Sequence, residues 1–375
     1  MKNDLVSNYM REAIFLAKKG SGFVNPNPLV GAVIVKGSKI IGRGWHEKFG
    51  GLHAERNAIN DAIRSTNNPD ICRGASLFVT LEPCCHQGKQ PPCTEAIIAH
   101  KFAEVYIGSY DPNPLVNGKG IQALEAAGIT VHEQVLKDEC DSLNPFFFHF
   151  VKTKTPYTIL KYAMSINGVS IIKKGSKVIS NTESHEAVHR MRAAVMAVLA
   201  SVKTVNDDDC LLTCRLDDGC HQPHRIILDR KLTLKRNRKI LGTTDISPVI
   251  IFYSKGSPLK QKFLARKNVT LVQVPSNGRH LDLNAVMQKL GSMNYDSVLI
   301  ESSGRLAEAF LRGGLIQKTE VFISPSFITK GGSRIPVGSV CKLNESAGDI
   351  SVSYTAPQKG AQCFYPNLFS YLYPL

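Results

Sequence analysis

The sequence has no run of eighteen apolar residues, so nothing in it reads as a transmembrane helix. Its start, Met1-Lys2-Asn3-Asp4, lacks the basic segment and apolar core of a secretory leader. A soluble, unexported, cytoplasmic protein with no membrane partner is the expectation. Aromatic residues are few, 7% with a single tryptophan, which leaves little surface for stacking nucleic-acid bases. The Gly-x-Gly-x-x-Gly fingerprint is absent as well. What is present is ordinary: 43% hydrophobic and 21% charged residues exclude disorder as the default, and 375 residues suffice for two domains with full cores. Ten cysteines without a secretory leader argue for reduced thiols, some of them metal-bound, rather than a disulfide framework.

The net charge of +15 is unevenly divided. Residues 1–150 hold 15 basic and 15 acidic side chains, whereas residues 151–375 hold 31 and 16. A basic half suits nucleic acid, a membrane surface or small phosphorylated ligands. Scattered lysines more often form a solvated surface, and the densest run, Lys231 to Lys239, lacks interleaved aromatics and is expected on a surface loop.

The chemistry concentrates between His53 and Cys93. His53-Ala54-Glu55 is followed by Glu82-Pro83-Cys84-Cys85-His86-Gln87-Gly88-Lys89-Gln90-Pro91-Pro92-Cys93. One imidazole and two thiols, His53, Cys84 and Cys93, make a three-ligand zinc site with one position open to water. Zinc brings the pKa of that water toward neutrality. A glutamate outside the metal shell, here Glu55, then moves the proton to a leaving amine, which is the arrangement nucleobase deaminases use. Either half of this pattern occurs by chance; the two together, in this order, point to deamination. The second thiol stands nine positions after Cys84, unlike the short Pro-Cys-x-x-Cys signature. His46 as a fourth ligand would close the water position, and Cys85 is a bystander.

Periodicity places these residues. A helix is expected over Tyr9 to Lys19, then the Asn25-Pro26-Asn27-Pro28 turn, a hairpin of Leu29 to Val35 and Lys39 to Trp45, and a helix from His53 to Ile63. Strand Ser76 to Leu81 delivers Cys84, and Cys93 opens a helix to Ala99. Strand Val105 to Ser109, helix Ile121 to Ala127 and strand Thr130 to Gln134 complete a three-layer α/β/α sandwich. Asn144 to Lys154 is the join, its Phe146-Phe147-Phe148 run packed against the other domain, with the boundary near residue 150. The second half reads as strands Tyr157 to Met164, Ala194 to Ser201, His224 to Leu228, Pro248 to Tyr253, Val269 to Val274, Asp296 to Ile300 and Val321 to Ser324. Helix Ser184 to Ala193 lies among them, as does a helix to Leu311 that follows the Glu301-Ser302-Ser303-Gly304 turn.

The set Glu82-Pro83-Cys84, His86, Gly88-Lys89 and Pro91-Pro92-Cys93 resembles the deaminase half of the bifunctional riboflavin biosynthesis family, and the likeness spans both halves. It implies a cytidine-deaminase-like domain over 1–150 and a dihydrofolate-reductase-like, NADPH-dependent α/β domain over 151–375. The family deaminates a diaminohydroxy-phosphoribosylaminopyrimidine and then reduces the ribosyl chain to ribityl. By resemblance Asn27, His46, Asp111 and Asn113 contact the pyrimidine, and His86 and Lys89 the ribose phosphate. Ala163, Val178, Thr204, Asp208 and the Ser303-Gly304 turn go to NADPH. Lys161, Ser176, Arg192, Leu212, Arg215 and Glu301 go to the reductase substrate, the two arginines as phosphate partners. Turn geometry alone accounts for Asn27 and Asn113 equally well, and a surface position for either arginine. Asn167, Val178 and Ser303 depart from the family's Asp, Trp and Gly, and Cys210 from its Pro. A homo-oligomer, dimer or tetramer, is also implied. Two other readings stay open: a mono-functional deaminase with a scaffold-only second half, and a nucleic-acid base deaminase using the basic half as a clamp. A structural zinc module would need a fourth protein ligand.

Overall fold

The computed structural model describes residues 2–87, 90–114, 116–170, 182–216, 219–265, 268–324, 326–329, 334–336 and 350–355. Two sheets organise them. The first is built on a hairpin of β1 (Gly31–Lys36) and β2 (Lys39–Trp45), followed by β3 (Ser76–Leu81), β4 (Glu104–Ser109) and β5 (Thr130–His132). Their order is β2-β1-β3-β4-β5, antiparallel on either side of β1 and parallel from β3 onward. Alternate residues of each strand face opposite ways. Ile34, Leu77, Val79 and Ile107 therefore join one core with α2 (Ala54–Thr66), α3 (Cys93–Ala99) and α4 (Lys119–Ala126). Val33, Phe78 and Tyr106 join the other, under α1 (Lys2–Lys18) and α5 (Lys137–Asp141).

Helix α2 seats unusually close to the sheet. A Cβ on Gly44 would lie 2.3 Å from the Ala54 carbonyl oxygen and from the Ala58 nitrogen, and one on Gly42 would lie 2.4 Å from the Ala58 oxygen. The two glycines of β2 thus fix the height of the helix that carries His53 and Glu55 at its start.

After α5 comes α6 (Pro145–Thr153), with proline in its first turn, where the missing N–H costs nothing. The expectation that its aromatic run packs on the other domain holds for one ring only. Phe146 meets Tyr157 at 5.3 Å and joins the second domain's core, while Phe147 and Phe148 pack against the first.

The second sheet contains β6 (Tyr157–Ser165), β7 (Ala197–Ser201), β8 (His224–Leu228), β9 (Val249–Tyr253), β10 (Val269–Gln273), β13 (Ser297–Glu301), β14 (Lys318–Ser324) and β17 (Ile350–Thr355). Small hairpins, β11 (Ser276–Asn277) with β12 (His280–Leu281) and β15 (Ser326–Ile328) with β16 (Arg334–Pro336), lie outside it. The order is β10-β9-β8-β7-β13-β6-β14-β17, parallel except between β14 and β17. Helices α7 (Thr182–Ala194), α8 (Val202–Asp208), α9 (Lys239–Gly242), α10 (Pro258–Leu264), α11 (Leu283–Ser292) and α12 (Arg305–Arg312) cover its two faces over separate cores. Continuous apolar strands such as Val249–Tyr253 are what a sheet buried on both faces requires.

Several expectations change here. Ala194 ends a helix and the strand begins only at Ala197; Thr204 to Asp208 is helical; and α11 was not anticipated. The basic run from Lys231 is a loop up to Arg238, pinned by the buried Leu232 and Leu234, and its last residue opens α9. The cysteines are not all reduced, since Cys214 and Cys220 form a disulfide. Gln222 explains the proximity: its side chain accepts from the Cys214 N–H at 3.0 Å and donates to the Cys214 carbonyl at 2.9 Å, closing the loop locally. Composition cannot register such a loop. Among the described residues no helix is long and apolar enough to cross a membrane.

Candidate active site

The first site is assembled from three chain segments. His53 caps the start of α2, Glu55 sits in that helix's first turn, Cys84 leaves the end of β3 and Cys93 opens α3. The Cys93 backbone N–H donates to the Cys84 sulfur at 3.4 Å, locking the two cysteine segments together. His53 Nδ1 lies 3.5 Å from the Cys84 sulfur and 3.4 Å from the Cys93 sulfur. Tetrahedral zinc, with bonds of about 2.3 Å to sulfur and about 2.0–2.1 Å to nitrogen, spaces such ligands by about 3.6 Å. The donor set and its spacing therefore fit zinc, and among the described residues this cluster has three members, leaving one corner of a tetrahedron.

Electrostatics agree. The hydrogen bond from Cys93, with His53 beside it, holds the Cys84 thiol down at about 4. The bond with Cys84 raises the His53 imidazole. Glu55 is only 3% exposed, and burial pushes its carboxyl up. A carboxyl that accepts a proton readily and faces Cys93 is suited to shuttling it.

Around this centre stand the residues assigned to the pyrimidine. His46 has both ring nitrogens engaged: Nδ1 lies 2.9 Å from the Leu52 carbonyl and Nε2 3.1 Å from Asn27 Nδ2. The carbonyl can only accept, so Nδ1 carries the proton and Nε2 accepts from Asn27. His46 is thus a neutral pocket wall, its ring edge-on to His53 with centroids 5.5 Å apart. Asp111 accepts from the Asn113 N–H at 2.8 Å, and burial pushes its carboxyl up to about 6. His86 lies exposed on the loop after Cys84. Lys89 lies outside the described residues.

One residue of this site was quoted in the motif without a role. Glu82, 3% exposed, accepts three backbone N–H groups: Asp111 at 3.4 Å, Gly118 at 3.0 Å and Gly120 at 3.0 Å. It moors the Asp111–Asn113 loop and the start of α4 to the strand that delivers Cys84. No sequence pattern announces a carboxylate whose partners are main-chain groups.

The second site lies at the carboxyl ends of β6, β7 and β13, where parallel sheets bind ligands. Lys161 of β6 is paired in register with Glu301 of β13. Arg192 grips Glu301 in a fork, with Nη2 2.8 Å from one carboxylate oxygen and Nε on the other, and Nη1 donates to the Thr213 carbonyl at 2.9 Å. Arg192, 9% exposed, orders Glu301 with three of its five N–H donors. Arg215, bound to Thr213 through Nη1 at 3.4 Å, is the exposed member of the pair. Leu212 is buried in the second domain's core. Burial lowers the Lys161 ammonium pKa, countered by Glu301. Although burial opposes it, Arg192 draws the Glu301 carboxyl below its ordinary value.

Beside these residues Gly304, at φ 66°, caps α12, and a Cβ there would meet nothing within 4 Å. This is an open backbone cradle of the kind a pyrophosphate requires. Leu199 of β7 pairs with Ile300 of β13, and Thr204 lies in the first turn of α8, the helix that follows β7. Asp208 ends α8, and Ala163 lies on β6, two residues past Lys161. The parts fit a nicotinamide dinucleotide. Ser176 and Val178 lie outside the described residues. Asn167 has a local reason: its Oδ1 accepts from the Ile328 N–H at 3.1 Å while Nδ2 donates to the Ile328 carbonyl at 3.0 Å. An aspartate would lose the second bond.

Fold and sites together define a two-domain enzyme, a zinc deaminase followed by a dihydrofolate-reductase-like reductase. Family models match the same halves. Residues 4–109 match the cytidine and deoxycytidylate deaminase zinc-binding region, and residues 156–346 match the RibD C-terminal domain. The riboflavin biosynthesis protein RibD of Actinobacillus pleuropneumoniae is 38% identical over 332 residues, 88% of this chain and 86% of that protein. The structure of Acinetobacter baumannii RibD superposes with a TM-score of 0.78 at 33% identity, covering 90% and 91% of the two chains. That of a diaminohydroxyphosphoribosylaminopyrimidine deaminase/5-amino-6-(5-phosphoribosylamino)uracil reductase from Thermotoga maritima gives 0.79 at 34% identity, covering 95% and 99%. The chain belongs to the riboflavin biosynthesis protein RibD family. It is a bifunctional deaminase and reductase of riboflavin biosynthesis, with Zn2+ and NADPH as cofactors.

Proposed function

We propose that the first domain, residues 1–150, deaminates 2,5-diamino-6-(5-phosphoribosylamino)pyrimidin-4-one, and that residues 151–375 reduce the ribosyl chain of the product. The observation that carries this reading is the three-donor cluster of His53, Cys84 and Cys93 with Glu55 buried beside it. His53, Cys84 and Cys93 hold the zinc, which when bound supplies Lewis acidity and lowers the pKa of water. Glu55 takes up the proton of the attacking water and delivers it to the departing ammonia. Asn27 and His46 bound the pyrimidine on one side, Asp111 and Asn113 on the other, and His86 with Lys89 neutralises the ribose phosphate.

In the second domain the Gly304 turn, Ser303, Thr204, Asp208, Ala163 and Val178 hold NADPH, whose nicotinamide supplies hydride. Lys161, Ser176, Arg192, Leu212, Arg215 and Glu301 position the ribosyl substrate, with the two arginines as phosphate partners and Arg192 also fixing Glu301. A phosphorylated intermediate and a basic second half are electrostatically matched. A cytoplasmic setting suits reactions that draw on NADPH, and the reading includes a homo-oligomer.

Incubation with the phosphoribosylated diaminopyrimidine tests the sequence of steps. Ammonia release without NADPH, and NADPH oxidation only after deamination, is the expected result. NADPH oxidation with no ammonia formed overturns it.

A further inference from the structure

The turn carrying Asn27 rests on more than its own domain. On one side Asn144, at the start of α6, clasps Leu29: it accepts from the Leu29 N–H at 2.7 Å and donates to the Leu29 carbonyl at 2.9 Å. On the other side the turn leans on the reductase domain. Asn25 Nδ2 donates to both carboxylate oxygens of Asp296, at 3.0 and 2.8 Å. Asp296 stands just before β13, the strand that ends in Glu301, and is 1% exposed. A Cβ on Gly22 would lie 2.1 Å from the carbonyl of Ala193, the residue after Arg192. Phe23 stands edge-on to His221. Asn25, Asn27, Asn144, Phe146 and Asp296 line a cavity of about 190 Å³ at this junction.

A carboxylate withdrawn from water must find donors. Ser297 supplies one at 2.6 Å from the same domain, and Asn25 supplies the other across the boundary. The bond fixes Asn25, and Asn25-Pro26-Asn27 is too short and stiff a segment for Asn27 to move independently. Asn27 in turn holds His46 Nε2.

We propose that Asp296, a reductase-domain residue, is a positioning residue for the deaminase: it sets the turn that aims Asn27 and His46 at the pyrimidine. The proposal rests on the reading that these two residues line the substrate pocket. It implies that the first reaction's KM depends on a side chain belonging to the second enzyme.

The test uses the full zinc-loaded chain and ammonia release from the phosphoribosylated diaminopyrimidine. Asp296→Ala and Asn25→Ala should each raise KM roughly tenfold, the scale of one charge-assisted hydrogen bond, with kcat little changed. The double variant should be no worse than either single one, because both remove the same contact. Asp296→Asn, which keeps an acceptor, should recover most of the loss. NADPH oxidation on the preformed deaminated product should stay unchanged. A purely structural role would lower the unfolding temperature without coupled KM changes. Should Asp296→Ala fail to fold, Asn25→Ala and Asp296→Asn decide. Additive effects, or an unaltered KM in Asn25→Ala, overturn the proposal. Asn27→Ala serves as the control: if it leaves KM unchanged, the pocket reading fails instead.

Discussion

Glu55 has the most demanding task of any residue in the chain. On the proposed mechanism it must be outside the metal shell yet close enough to pass a proton, and buried enough for its carboxyl to be pushed up. Glu55→Gln preserves shape and volume but removes the titrating oxygen. Ammonia release should fall by roughly 10²- to 10⁴-fold, the range of general acid–base catalysis. Zinc content by metal analysis should remain at one per chain, because His53, Cys84 and Cys93 are untouched. Near-normal turnover in this variant would remove Glu55 from the mechanism. His53, Cys84, Cys93 and Glu55 were all legible in the sequence, since metal and proton chemistry restrict the residue types that serve. Glu82 and Asp296 were not. The first binds main-chain groups, and the second binds a side chain 271 positions away.

Among the elements, α2 depends on its bed. Its amphipathic pattern and its start near His53 can be read from the sequence, but its closeness to β2 cannot, because glycines in a strand have several explanations. The structure gives one: Gly44 leaves room for the Ala54 carbonyl. Gly44→Ala should destabilise the domain by about 1–3 kcal/mol, the cost of forcing extra volume against packed backbone. Urea unfolding measures this. Zinc affinity should also weaken, since the helix start that holds His53 is displaced; unchanged unfolding and zinc binding would count against this packing role. Elements with little local signal, such as α8 and α9, were missed because they are short and owe their form to tertiary packing.

For the whole molecule, the two sites use different resident groups on different sheets. Removing zinc with a chelator should therefore abolish ammonia release while NADPH oxidation continues on the deaminated product. Zinc restored after chelation should return the first activity alone. Loss of both activities on chelation would mean that the metal also supports the second domain. The succession of two α/β domains, the division of charge between halves and the Phe146 contact followed from sequence, whereas the polar contact between halves did not, because it is made by side chains such as Asn25 whose partners are set only by docking.

The helix α6 divides its rings: Phe146 belongs to one interior, Phe147 and Phe148 to the other. A chain cut on either side of that helix would yield two fragments that are both incomplete. The one that keeps the helix carries oil into water, and the other is left with a notch where a ring had been. Splitting the chain into separate proteins would thus leave partly buried rings of α6 newly exposed unless the helix were rewritten first.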